Sequence, residues 1–232
     1  MNFFELLQEM VPHLMEGTLV TLQLTATSIS VGFIIGIFLA LGRLYGTKPV
    51  QAFCSGYIQF FRGTPLLVQL FIVYYGLPRY GIKLSSSVAA LIGLGLNSAA
   101  YQAEYFRGAI QSIDEGQMMA ARAVGMSKFQ AIWNIILPQA FRLAIPPWSN
   151  EYSSVLKDTS LAYAVGVIEL VREGRYIIVR TFEPMLIYII VAIIYFFFTY
   201  AGNFILGFIE GKIAVPGYER KLGRRMGGGV ER

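Results

Sequence analysis

Apolar residues in this chain come in long uncharged blocks, not in short alternations. Residues 17–42, 84–103 and 185–209 contain no Asp, Glu, Lys or Arg, and residues 49–78 contain only Arg62. A bilayer core about 30 Å thick is crossed by about 20 helical residues. Each block is therefore long enough to be a membrane helix, with tilt absorbing any excess. A further block, 137–161, is interrupted by Arg142, Glu151, Lys157 and Asp158 and carries Pro146-Pro147 near its start. Its charges predict a span packed inside a bundle and shielded from lipid. The pattern predicts an all-α integral membrane protein with five transmembrane helices.

Composition agrees. The 232 residues are 55% hydrophobic and 14% charged, with a mean hydropathy of +0.55, whereas soluble domains are about 25% charged. No long polar linker or internal repeat divides the chain, so residues 1–232 read as one membrane domain. A single cysteine, Cys54, excludes an internal disulfide. Residues 1–16 carry Glu5, Glu9 and Glu16 and no Lys or Arg, unlike a secretory leader. They read as a short amphipathic helix lying at the interface ahead of the first span.

The net charge of +5 matters less than its distribution. Lys and Arg in short loops mark the cytoplasmic side. The tail, residues 212–232, holds Lys212, Arg220, Lys221, Arg224 and Arg225, which predicts a cytoplasmic C-terminus and an N-terminus outside. Arg43, Lys48 and a polar insert at residues 114–138 then also fall inside. Such a tail reads as a solvated positive-inside end, drawn weakly to anionic headgroups, and no nucleic acid partner is expected.

The insert has its own punctuation. Asp114 with Gln117, and Ser127 with Gln130, have the spacing of capping boxes. Gly125 can take the positive φ that ends a helix, and Pro138 cannot continue a helix interior. Two short helices are predicted, joined at Gly125-Met126-Ser127, the second stopping at Pro138. Ala120, Ala121 and Ala123 keep the first thin enough to enter a groove on another protein. On spacing alone, an ordinary solvated hairpin fits equally well.

Ionisable groups at the centre of a membrane helix cost about 2.5–3.5 kcal/mol on insertion scales, so they mark a pathway or a buried pair. Asn97, Tyr101 and Glu104 share one helical face, and Glu151, Ser154 and Asp158 share another. Two such faces can line one aqueous cavity. Glu151 and Asp158 would meet a cationic solute there, with Asn97, Tyr101 and Ser154 completing the site. Structural pairing is the competing reading: Asp158 with Lys157 or Arg62, and Glu104 with Arg107. In the second block, Arg62-Gly63-Thr64-Pro65 predicts a kink, because Pro65 moves Thr64 away from helical geometry. That kink either gates a path or simply packs.

Several chemistries are missing. No phosphate-binding G-x-x-x-x-G-K-[ST] loop is present, so the chain is expected neither to hydrolyse ATP nor to bind a cofactor itself. His13 is the only histidine, which excludes a His-based metal site. Gly93 and Gly95 form half a dinucleotide fingerprint inside an apolar block, where small residues serve helix packing.

The insert resembles the EAA loop of ATP-binding-cassette (ABC) importer permeases: Ala120 and Ala121, then Gly125, then Ile135, Leu137 and Pro138. Met119 stands where that family usually has Glu. Residues 60–71 (FFRGTPLLVQLF), 97–113 (NSAAYQAEYFRGAIQSI) and 156–166 (LKDTSLAYAVG) resemble the polar amino acid subfamily, covering histidine, glutamine, arginine and related solutes. The resemblance implies a type I importer permease in a prokaryotic plasma membrane, moving polar, chiefly basic, amino acids by alternating access. Its implied partners are two ATPase subunits that bind ATP and Mg, a second identical or related permease chain, and an extracytoplasmic substrate-binding protein. It places ATPase docking on Gln117, Met119, Ala120, Ala121, Arg122, Gly125, Leu137 and Pro138, with Arg62 and Pro65 at the gate or kink. The alternative is a secondary transporter driven by an ion gradient through Glu104, Glu151 and Asp158, which inverted repeats would support; none is evident.

Overall fold

The computed structural model describes residues 3–213, and all regular structure among them is helical. Helix α1 (Phe3–Tyr45) is unbroken. The segment expected to form a separate interfacial helix is, from Phe3 onward, simply the start of α1. Burial explains the difference. Met10 and Leu14 pack with Leu170, Ile177, Ile187 and Val191, and His13 Nδ1 lies 2.9 Å from Glu173 Oε2. Protein, not headgroups, holds this end.

The second apolar block is not one straight span. Helix α2 (Lys48–Gly63) and helix α3 (Leu66–Phe71) are separated by a break, after which α3 runs on through a π turn (Ile72–Gly76) and a 3₁₀ turn (Leu77–Tyr80). The axes of Lys48–Gly63 and Leu66–Tyr80 differ by 106°. Thr64 is extended (φ −118°, ψ 147°), as the residue before a proline should be. Carbonyls freed by such a break need new donors in a lipid environment. Gln69 Nε2 supplies them, donating to the carbonyls of Phe61 (2.8 Å) and Thr64 (3.1 Å).

Helix α4 (Ser86–Ser112) is the central post and packs against α1, α2, α3 and helix α7 (Leu137–Asp158). Close approach of α1 depends on small residues: a Cβ added at Gly36 would stand 3.1 Å from the carbonyl oxygen of Ala99. After α7 come a 3₁₀ segment (Thr159–Val165), helix α8 (Leu170–Thr181) and helix α9 (Pro184–Ile213).

By length and hydropathy, Met10–Tyr45 and Pro184–Lys212 can each cross a membrane, and the bent pair is a third if it counts as one span. Helices α4 and α7 have 27 and 22 residues, about 40 and 33 Å at 1.5 Å per residue. They are more polar and turn that polarity inward: Ser98, Gln102 and Glu151 are all buried. The α7 span packs against α4 and α9, but its charges are only partly shielded: Glu151 is buried and Asp158 half-buried, whereas Arg142 and Lys157 are exposed. Of the basic tail, Lys212 ends in α9; Arg220, Lys221, Arg224 and Arg225 lie outside the described residues.

Candidate functional site

The polar insert forms two helices, α5 (Glu115–Ala123) and α6 (Lys128–Ala131). Between them Gly125 takes φ 88°. Met126 N–H donates to the carbonyl of Ala121 (3.1 Å) and Gly125 N–H to that of Arg122 (3.1 Å). Those two bonds satisfy carbonyls left open at the helix end, and the geometry needs a residue tolerant of positive φ. Ser127 and Gln130 close the expected capping box. Asp114 caps α5 through Gly116 N–H (2.8 Å), but Gln117 does not complete a box; its amide oxygen instead lies 3.4 Å from Gln139 Nε2.

Pro138 does not stop the second helix. From Ser127 the backbone runs through α6 and a π turn (Ile132–Ile136) directly into α7, with Pro138 in the first turn of α7. Leu137 N–H reaches the carbonyl of Ile132. The widened turn accommodates a residue that has no N–H to give. From Ser127 onward the insert is therefore continuous with α7, and α5 joins it through the Gly125 turn.

Exposure divides the eight expected docking residues. Gln117, Met119, Ala120, Arg122, Gly125 and Pro138 are exposed, whereas Ala121 and Leu137 face inward. Ala121 is 6% exposed and Met119 is 67% exposed. Val124, Phe129 and Trp133 are also exposed, the last two stacked at 6.0 Å between ring centroids. These apolar groups stand in a polar insert with nothing from the described residues over them. Lys128 Nζ lies 5.1 Å from the Tyr45 ring centroid, tying α6 to the end of α1.

The second feature is a charge cluster. Glu104 bridges three arginines: Arg43 bonds its Oε1, Arg107 Nη2 donates to Oε2 at 2.7 Å, and Arg62 Nη1 stands 3.8 Å from Oε2. Tyr101 lies under the Arg62 guanidinium at 5.2 Å. Arg43, Gln59, Arg62, Tyr101 and Glu104 line a 370 Å³ cavity. Pairing of Glu104 with Arg107 is legible at three-residue spacing; Arg43 and Arg62 come from α1 and α2 and are not.

The remaining expected site residues do not share that cavity. Asn97 is buried and committed to the bend, donating to the carbonyl of Phe61 (3.1 Å) and to Gln69 Oε1 (3.0 Å). Glu151 is 3% exposed and accepts from Ser98 Oγ at 2.6 Å. Ser98 also accepts from Gln102, which accepts from Trp148 Nε1 at 2.8 Å. Ser154 is exposed, and Asp158 is half-buried at the end of α7. Ser98, Gln102 and Trp148 escaped the sequence reading, since an uncharged hydrogen-bonding residue in an apolar block carries no strong signal.

Fold and insert together define a class: an all-α membrane permease subunit of the type I ABC importer kind. The chain belongs to the family described as "binding-protein-dependent transport system inner membrane component", whose profile matches residues 32–215. It is 42% identical over 187 residues to the "probable amino-acid ABC transporter permease protein YckA" of Bacillus subtilis (strain 168), covering 81% of this chain and 83% of that one. It is 40% identical over 195 residues to the "L-cystine transport system permease protein TcyL" of the same organism, covering 81% and 82%. Among solved structures, "an amino acid ABC transporter with histidines" matches with a TM-score of 0.83 at 35% identity, covering 91% of this chain and 99% of that one. The chain is thus a multi-pass inner-membrane permease subunit, and ATP hydrolysis belongs to a separate ATPase subunit.

Proposed function

We propose that this permease carries polar amino acids inward through a pore completed by a second permease chain, identical or related. One membrane domain supplies the half-pore, and the segment 114–138 couples it to an ATPase. The observation that carries this reading is the exposed row Gln117, Met119, Ala120, Arg122 and Gly125 beside the uncovered Phe129 and Trp133. Small and apolar groups (Met119, Ala120, Gly125) set between polar ones (Gln117, Arg122) make a surface a soluble subunit can grip. Two ATPase copies, one per permease chain, hold ATP and Mg, and the closing of those subunits around nucleotide supplies the free energy. This chain transmits the movement: α6, the π turn and α7 are one backbone, so displacement of the insert moves α7 directly.

Orientation follows the insert: the ATPase it meets is cytoplasmic, so the end bearing it, with Arg43, Lys48, Arg122, Lys128 and Arg142, is inside along with the tail, and the N-terminus and the end bearing Arg79, Lys83, Arg172, Arg175 and Arg180 are outside. An extracytoplasmic binding protein delivers cargo to the opposite end. Glu151 and Asp158, with Asn97, Tyr101 and Ser154, flank the route; neither acid stands in an ion pair among the described residues, and Asp158 is the better placed for a cationic cargo because Glu151 is already bonded to Ser98. The bend at Arg62 and Pro65 gates the route. Relatives named for amino acids, cystine among them, support the cargo class.

Reconstitution with the ATPase and binding protein tests the reading. Amino acid uptake into vesicles that requires ATP on the insert side is the expected result. Uptake that follows a proton or sodium gradient with no ATPase present would overturn it.

A further inference from the structure

At the end of the bundle opposite the insert, a 560 Å³ cleft opens between the turn after α3, the 3₁₀ segment after α7, and α8. Its walls include Tyr74, Tyr75, Tyr163, Arg172, Arg175 and Tyr176. Arg172 and Arg175 are one helical turn apart on α8 and converge on a single ring: their guanidinium carbons lie 5.8 and 5.5 Å from the Tyr163 centroid. Two like charges gathered around one ring repel each other, and an anion between them would offset that repulsion.

The two acids nearest in sequence are already engaged. Glu169 is fully buried, caps α8 by accepting from Val171 and Arg172 N–H (2.9 Å each), and accepts from the Tyr195 hydroxyl at 3.0 Å. Glu173 turns to the other side of α8, 2.9 Å from His13. Among the described residues neither arginine forms an ion pair. Glu169 exerts an electrostatic pull on Arg172 from within its cap, which leaves the guanidinium forks of both arginines facing the cleft. Paired planar forks match a carboxylate better than a point charge does, and the flanking phenols offer further hydrogen bonds and apolar ring faces.

We infer that this cleft is a carboxylate site at the outer mouth of the pore, where Arg172 and Arg175 receive the α-carboxylate of an incoming amino acid before it enters the membrane. The assignment rests on the cargo class and orientation given above. Recognition of the α-carboxylate is common to all amino acids, so the site holds cargo without selecting among side chains.

Arginine-specific modification tests it on the wild-type chain. The full assembly in vesicles is treated with phenylglyoxal, and adducts at Arg172 and Arg175 are followed by mass spectrometry. L-Glutamine, L-histidine and L-lysine are expected to slow both adducts at least threefold at saturation, and their methyl esters to leave the rates unchanged. Equal rates with and without the free amino acids would overturn the site. So would protection by the binding protein alone, without amino acid, since the carboxylates would then belong to a docked protein. A parallel uptake assay separates the two levels. Wild-type vesicles that take up amino acids with ATP, while R172Q/R175Q shows an unaltered KM, would remove the site and leave the transport reading intact. Wild-type vesicles that take up none would remove the transport reading and the site with it. The supporting result is a KM raised about tenfold in R172Q/R175Q, as expected for loss of charge-assisted hydrogen bonds.

Discussion

Asn97 of α4 donates to Gln69 of α3 across 3.0 Å, tying the central post of the bundle to the 106° bend between α2 and α3. Gln69 uses its amide nitrogen on Phe61 and Thr64, and Asn97 adds a second donor to Phe61. The polar atoms that a broken membrane helix exposes are thus shared between two amides.

Asn97→Ala removes one partner from a buried acceptor on Gln69 and one from the part-buried carbonyl of Phe61. Interhelical hydrogen bonds within membranes are worth about 0.6–2 kcal/mol, so the purified variant should unfold in denaturing detergent with stability reduced by about 1 kcal/mol. Asn97→Asp should do worse, because it replaces the donor with an acceptor. Equal stability of Asn97→Ala and wild type would show that the bend does not depend on this residue.

Glu104→Gln leaves three guanidinium groups sharing one neutral amide. Side-chain exposures of 16% for Glu104 and 27–43% for the arginines put the cluster between exposed and buried ion pairs, so a loss of about 2 kcal/mol is expected. Adding Arg43→Gln to that variant should restore part of it by relieving repulsion. A thermal unfolding series in detergent would show a double variant more stable than the single one.

Gly125→Ala forces a Cβ into left-handed geometry, costing about 1–2 kcal/mol locally, in a place where no neighbouring atom would meet it. Strain without a clash should leave the bundle folded and loosen the end of α5. Uptake velocity should fall while KM for the amino acid holds. Gly125→Asn, better suited to positive φ, should retain more activity than Gly125→Ala.

Asp158→Asn should reduce uptake of lysine, arginine and histidine more than that of glutamine, because it removes an acid that stands in no ion pair among the described residues. Glu151→Gln should alter that profile less, since Glu151 is already bonded to Ser98. Initial uptake rates across a cargo panel measure both. An unchanged panel in Asp158→Asn would remove this residue from the route.

Legibility followed the range of each interaction. Uncharged blocks announce themselves because lipid rejects charge over a whole helix length, so α1, α9 and the bent pair were readable directly. The capping box of Ser127 and Gln130 and the left-handed Gly125 were readable because both are local. Pro138 misled for a local reason too: a π turn absorbed a residue that ordinarily ends a helix. Which of Ala120 and Ala121 faces outward depends on how α5 leans against the π turn beneath it, and the two are identical in sequence. Asn97, placed by its helical face, also donates to Gln69 and Phe61, residues 28 and 36 positions away, a distance over which spacing rules are silent.

The central claim is that the exposed row on α5 grips an ATPase and that α7 carries the resulting movement. Ala120 is exposed beside inward-facing Ala121, so Ala120→Arg should leave folding intact while obstructing a closely packed partner. ATP-driven uptake by reconstituted assemblies of this variant, measured beside the thermal midpoint of the permease alone, is the most direct test. An unchanged midpoint with uptake reduced to background is expected; an unchanged midpoint with uptake at the wild-type rate would show that no ATPase grips this surface.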